Sequence, residues 1–232
     1  MGAGAEVHKE KDPKTDYQWG LYKIGFTPKS DPQSAWNAVD ADDKNVIVAV
    51  IDSGLDLTHP DGPRYIWKNP GETPDNKIDD DGNGYVDDVQ GWSFLDNNND
   101  VRDFRGHGTF VAGIIAARSN NGQGIAGINP GAVMMPLKVA NEEGEANSFN
   151  IYRAIHYAVS HGARVINISM GARSISLMEQ AAINYAREMN VFVAVASGNV
   201  GENISDHGPA SALGTFSVGA IDISGERSTI SN

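Results

Sequence analysis

Apolar residues fall into short, nearly continuous blocks separated by longer stretches with helical spacing. Residues 46–51, 132–139, 164–169 and 191–196 are largely uninterrupted apolar runs rich in β-branched side chains, as expected of buried strands. Because they are apolar on successive rather than alternate residues, both faces of the sheet must be covered, which favours a parallel sheet. Residues 107–117, 147–161 and 176–190 have the length and spacing of intervening helices. This alternation predicts an α/β fold of three layers around a mainly parallel sheet.

Three segments depart from the pattern. Residues 1–18 are polar and charged and read as an N-terminal arm, with the main domain covering 19–232 from an anchor near Trp19. Residues 60–103 hold many Asp, Asn and Gly and few apolar clusters, so an acidic insertion or binding loop over 62–103 is expected rather than core structure. Residues 216–220 begin another strand, but the sequence then runs to 232 in polar residues, so the fold is expected to be incomplete at the C-terminus.

Charge and composition narrow the partners. Eighteen basic against thirty acidic residues give a net charge of −12, which disfavours nucleic acid because phosphate neutralisation needs clustered Lys and Arg. It suits a protein with carboxylate-built calcium sites. There is no cysteine, so disulfides and thiolate metal sites are excluded. No apolar stretch reaches 18 residues, so no membrane partner is expected, and residues 1–10 lack the basic-then-apolar order of a signal peptide. The six histidines include no His-Glu-x-x-His pair for zinc, and no Gly-x-Gly-x-x-Gly follows the first strand to hold a dinucleotide.

The candidate chemistry sits at strand ends. The first strand runs into Asp52-Ser53-Gly54, His107 opens an apolar helix within Gly106-His107-Gly108-Thr109, and Ala196-Ser197-Gly198-Asn199 follows the strand over 191–196. Alone, each has an ordinary reading: a turn-forming Asp, a structural His, a Gly-Asn turn. Together they carry a mechanism. A buried carboxylate fixes the imidazole tautomer for general-base catalysis, and an Asn amide can donate to the oxyanion of a tetrahedral intermediate.

Val50-Ile51-Asp52-Ser53-Gly54-Leu55-Asp56, His59-Pro60-Asp61, Gly106-His107-Gly108-Thr109 with Val111-Ala112-Gly113, and Ala196-Ser197-Gly198-Asn199 resemble the signatures of the subtilases, in family order and over about residues 17–232. The resemblance implies a subtilisin-like fold, peptide-bond hydrolysis, a protein or peptide substrate and secretion. It gives Asp52, His107 and Asn199 the roles of orienting carboxylate, general base and oxyanion donor. By the same similarity, Ser169, Met170 and Gly171 would pair with an extended substrate, and Ala196, Ser197 and Gly198 would line the primary pocket. Met170, where the family often has Leu, suggests a pocket for a large apolar side chain.

One element of the family pattern is missing from the sequence. The nucleophile of subtilases lies in Gly-Thr-Ser-Met-Ala, and Ser93, Ser119, Ser148, Ser169, Ser174, Ser197, Ser211 and Ser228 all lack that context. A truncated chain, a complementing C-terminal segment on a second polypeptide, and a non-catalytic calcium- or peptide-binding relative remain open.

Two calcium sites are expected. Residues 79–88 read Asp-Asp-Asp-Gly-Asn-Gly-Tyr-Val-Asp-Asp, the first half of an EF-hand-type loop with Asp79, Asp81 and Asn83 as side-chain donors, Tyr85 by its carbonyl, and Asp87 or Asp88 as a further carboxylate. Gln90 stands at the twelfth position, where an acidic residue is usual. The second site is implied by the resemblance: Asp61, the Asn121 side chain, and carbonyls near Gln123 and Ile125, with Asp12, Asp16 or Gln18 as the N-terminal ligand.

Overall fold

The computed structural model describes residues 12–27, 32–37 and 46–232. A short helix, α1 (Trp19–Lys23), precedes β1 (Ile47–Asp52), β2 (Tyr65–Ile66) and β3 (Trp92–Ser93). Then come α2 (His107–Ala116), β4 (Val133–Lys138), α3 (Ser148–Ser160), β5 (Val165–Ile168), α4 (Leu177–Glu188), β6 (Phe192–Ala196) and β7 (Phe216–Val218). The sheet order is β2-β4-β1-β5-β6-β7, with β3 also on β4, and every pairing is parallel.

The uninterrupted apolar runs become strands because each face has its own cover. In β1, Ala49 and Ile51 join the cluster that holds Ala154 and Ile155 of α3 and Ala182 and Ile183 of α4. Val48 and Val50 face the other way, into the cluster with Ala112 and Ala116 of α2. Sheet and two helical layers form the expected three-layer α/β fold.

The helices start where their caps lie. Asn147 Oδ1 accepts the Asn150 N–H at 2.8 Å, and Ser176 and Glu179 form a reciprocal capping box on α4. Ile183 is fully buried. Ile183→Ala is therefore expected to lower unfolding free energy by about 2–5 kcal/mol, read from the urea midpoint; a change below about 1 kcal/mol would contradict this packing.

Residues 60–103 differ from their expected character. Trp67, Trp92 and Phe94 are buried in the larger core cluster, and β2 and β3 extend the sheet edge at β4. Two-residue strands leave no periodic trace, and single aromatics spaced far apart do not register as an apolar run. Part of this segment is therefore core, with the acidic loop suspended between the two short strands. Near the N-terminus, residues 1–11 of the expected arm lie outside the described residues. Residues 12–18 are docked: Lys14 N–H donates to Gly124 O at 2.9 Å, and the Gln18 amide exchanges hydrogen bonds with Ala126.

One face of the sheet is poorly covered. The register aligns Val165 with Phe192, Ala194 with Phe216 and Ala196 with Val218, on the α2 side opposite buried Val193 and Val195. Phe192, Phe216 and Val218 are about half exposed. On α2 itself, Phe110 is 64% exposed. Among the described residues no helix is long and apolar enough to cross a membrane.

Candidate active site

From β1 the chain passes through α2 to β4 on one side, then through α3 to β5 on the other. The two crossovers diverge there, so a crevice opens outside the carboxyl end of β1. Asp52, the last residue of β1, is 1% exposed. Its Oδ1 accepts the Ser53 N–H at 2.7 Å and pairs with His107 Nδ1 at 2.7 Å. A carboxylate only accepts, so Nδ1 carries a proton, and in the neutral imidazole the lone pair is left on Nε2. The His107 side chain is 43% exposed against 2% for Asp52: one partner is fixed in the core while the other faces the crevice.

Two features bring the ring to the carboxylate. Gly108 passes so close to β1 that an added Cβ would lie 2.2 Å from Gly54 O, and only glycine permits that approach. Asp103 then holds the start of α2. Its Oδ1 accepts N–H groups of Arg105 at 3.1 Å and Gly106 at 2.8 Å, and its Oδ2 accepts the Thr109 N–H at 2.8 Å and hydroxyl at 2.7 Å. Burial alone would raise the Asp103 carboxyl above its ordinary range. The Thr109, Gly106 and Ser53 hydrogen bonds outweigh burial and hold it below. A negative charge held against the N-terminal N–H groups of α2 also suits the helix dipole.

Asn199 follows β6, two strands from β1, or about 10 Å at ordinary strand spacing. It is exposed. Ser169 and Met170, just beyond β5, are half-buried, and Gly171 is exposed. Ser197 is buried and its N–H donates to Val218 O at 2.9 Å. Gly198 has φ +112, where an added Cβ would meet the Asn232 amide at 2.4 Å. Ala196 is half-buried at the end of β6. All the expected catalytic and substrate-binding residues therefore lie along the carboxyl edge of three neighbouring strands.

The metal candidates divide differently. Asp61 Oδ1 accepts the Asn121 amide at 2.9 Å and Oδ2 the Ile125 N–H at 2.8 Å. Asn121 Oδ1 accepts the Gln123 N–H at 2.8 Å. Asp12, 2% exposed, accepts N–H groups of Asn120 and Asn121 at 2.7 and 2.8 Å, while Asp16 is exposed. An added Cβ on Gly124 would lie 2.0 Å from Asp61 Oδ2, so loop and carboxylate are closely apposed.

In the acidic loop, Glu72, Asp81 and Asp88 bring carboxylate oxygens within 4.8 Å of one another. Asn69 Nδ2 donates to Asp81 and Asp88 at 2.9 and 2.8 Å, and Asn83 Nδ2 to the same pair at 3.1 Å. The Tyr157 hydroxyl donates to Asp88. Burial, reinforced by the Asp88 charge, pushes that phenol far above its usual range. Asp79 instead accepts the N–H groups of Asn83 and Gly84, Asp87 those of Asn76 and Lys77, and the Tyr85 ring packs on Trp92 and Phe94. Of the expected loop donors, Asp81, Asn83 and the alternative Asp88 meet. Glu72 was missed, because it lies upstream of the motif with no local spacing to mark it. Asp103 could have been found, since an Asp just ahead of a predicted helix start is a capping signal.

Fold and site together define a three-layer α/β protein with a buried Asp-His pair at the carboxyl end of its central strand. The chain belongs to the subtilase family, whose profile matches residues 43–232. A thermophilic serine proteinase from Bacillus sp. strain AK1 is 36% identical over 175 residues, 75% of this chain and 38% of that protein. Thermitase from Thermoactinomyces vulgaris is 31% identical over 214 residues, 92% of this chain and 66% of thermitase. A solved protease from Pseudoalteromonas arctica superposes with a TM-score of 0.73 at 27% identity, over 97% of this chain and 69% of that one. The chain thus spans only part of the length of the relatives it matches.

Proposed function

We propose that this chain supplies the general base, its orienting carboxylate and the oxyanion donor of a serine endopeptidase, with the nucleophilic serine outside these 232 residues. The observation that carries the reading is the 2.7 Å pair between buried Asp52 and solvent-facing His107 at the sheet's switch point. His107 Nε2 would take the serine hydroxyl proton as the oxygen attacks the scissile carbonyl, with Asp52 stabilising the imidazolium. The Asn199 amide would donate to the resulting oxyanion, and His107 would return the proton to the leaving amine before water releases the acyl group. Ser169–Gly171 would align an extended polypeptide, and Ala196–Gly198 would line the primary pocket beside half-buried Met170, favouring an apolar side chain. The half-exposed Phe192, Phe216 and Val218 support the location of the serine-bearing segment, because they leave a surface for a further element to cover.

Calcium belongs to the same reading. Glu72 and Asp88 are buried and Asp81 stands exposed beside them, with carboxylate oxygens within 4.8 Å of one another, close enough for like charges to repel. A divalent cation with oxygen ligands relieves that repulsion, and Asp12 and Asp61 with loop oxygens offer a second hard-donor set. Calcium supplies rigidity here and takes no part in the bond cleavage. Secretion is the setting that fits a chain holding calcium in this way.

The test uses the longer, serine-bearing polypeptide on an unstructured protein substrate. Asn199→Ala is expected to lower kcat by about 10²–10³-fold with little change in KM, a size known from subtilisin itself. An unaltered kcat would remove Asn199 from the mechanism.

A further inference from the structure

The Ser53 hydroxyl lies between two carboxylates. It accepts the Gly108 N–H at 3.0 Å and has one proton to give, with Asp103 Oδ1 at 2.9 Å and Asp52 Oδ1 at 3.2 Å. The two acceptors therefore compete, and the nearer is Asp103. The second oxygen of Asp52, buried, has no hydrogen-bond partner among the described residues. Whether Ser53 donates to Asp52 or away from it thus decides how much of that carboxylate is left for the His107 N–H.

Resting on the peptidase reading above, we propose that Asp103 is a positioning residue: by drawing the Ser53 hydroxyl proton to itself, it leaves Asp52 free to bind His107 strongly. Asp103 is suited to this because Thr109 and the backbone of residues 105 and 106 hold it in place. Thr109 Oγ1 already accepts the Asp56 N–H at 2.9 Å, so its proton is committed to Asp103. The same carboxylate thereby ties the end of β1 to the first turn of α2. The other ionisable groups around this corner are Asp56, His59 and Asp61 beside Asp103, and Asp96, Asp100, Arg105, Lys138, Glu142 and Glu143 around the crevice that Ser53 lines. Neither Asp103 nor Ser53 takes a proton from substrate; both act through Asp52.

The test is the NMR titration of the His107 ring in the 232-residue chain, which needs no nucleophile. Asp103→Asn releases the Ser53 proton to Asp52 and removes a nearby negative charge, so the His107 midpoint is expected to fall by about half a pH unit or more. The charge acts through space, whereas the proton acts only through the hydroxyl. In a Ser53→Ala background the Asp103→Asn shift should therefore shrink to about half or less, the coupling a double-mutant cycle isolates. Thr109→Val keeps the side-chain shape but removes one donor to Asp103, making it the stronger competitor for Ser53. That variant should raise the midpoint, and it decides the matter if Asp103→Asn does not fold. Equal Asp103→Asn shifts with and without the Ser53 hydroxyl, or a Thr109→Val midpoint that falls or stays put, would overturn the proposal. Failure of the longer polypeptide to cleave peptides would sink the peptidase reading but leave these shifts intact.

Discussion

His107→Ala in the longer, serine-bearing polypeptide is expected to lower kcat by on the order of 10⁶-fold, a size taken from subtilisin itself rather than from this structure. The reason is geometric. On the proposed mechanism Nε2 of His107 accepts the proton, and its Nδ1 partner Asp52 is 1% exposed, too deep in the core to replace it. Asp52→Asn should cost about 10⁴-fold, because an amide can donate to Nδ1 and select the wrong tautomer. The His107 side chain is 43% exposed, so its truncation opens no core cavity, but it takes a donor from buried Asp52 and should lower the melting temperature by a few degrees at most. Kinetics on a peptide anilide, with a melting curve for each variant, checks both statements. A loss below about tenfold would mean another group accepts the proton.

Chelation should have the largest effect on stability. A site filled at about a thousand times its dissociation constant stabilises by about 4 kcal/mol, and a domain of this size shifts by about 2–4 °C per kcal/mol. Excess chelator is therefore expected to lower the melting temperature by about 8–16 °C, and more if both sites are filled. Asp88→Asn gives the comparison. It would remove a proposed ligand, so it should lower the melting temperature in calcium. In chelator it relieves repulsion with Glu72 and Asp81, which lie within 4.8 Å, but turns an amide N–H toward a donor of Asn69, Asn83 or Tyr157, so the melting temperature should fall by less there than in calcium. Calorimetry in both buffers measures this, and a chelator with no effect would leave the carboxylate cluster without a metal.

The layers of the fold were legible because their causes are local. Apolar runs such as 46–51 and 191–196 need cover on both faces, and the capping residues Asn147 and Ser176 sit where the helical spacing begins. Asp52, His107 and Asn199 were legible because strand ends and a helix start place them on one edge. What could not be read was set by contacts distant in sequence. Glu72 reaches Asp81 and Asp88 only through a folded loop, and Trp67 and Trp92 become core only once β2 and β3 pair with β4. The choice of Asp12 over Asp16 beside residues 120–122 depends on how the N-terminal segment docks, and a polar segment carries no periodicity to reveal that.

The central claim is that His107 activates a serine that these 232 residues do not contain. Fluorophosphonate labelling with peptide mass spectrometry, run on this chain and on the longer polypeptide, tests it most directly. The account predicts no adduct on this chain, and one serine adduct on the longer polypeptide, beyond residue 232, that disappears in His107→Ala. An adduct on any serine within residues 1–232, or one beyond them that survives His107→Ala, would contradict it.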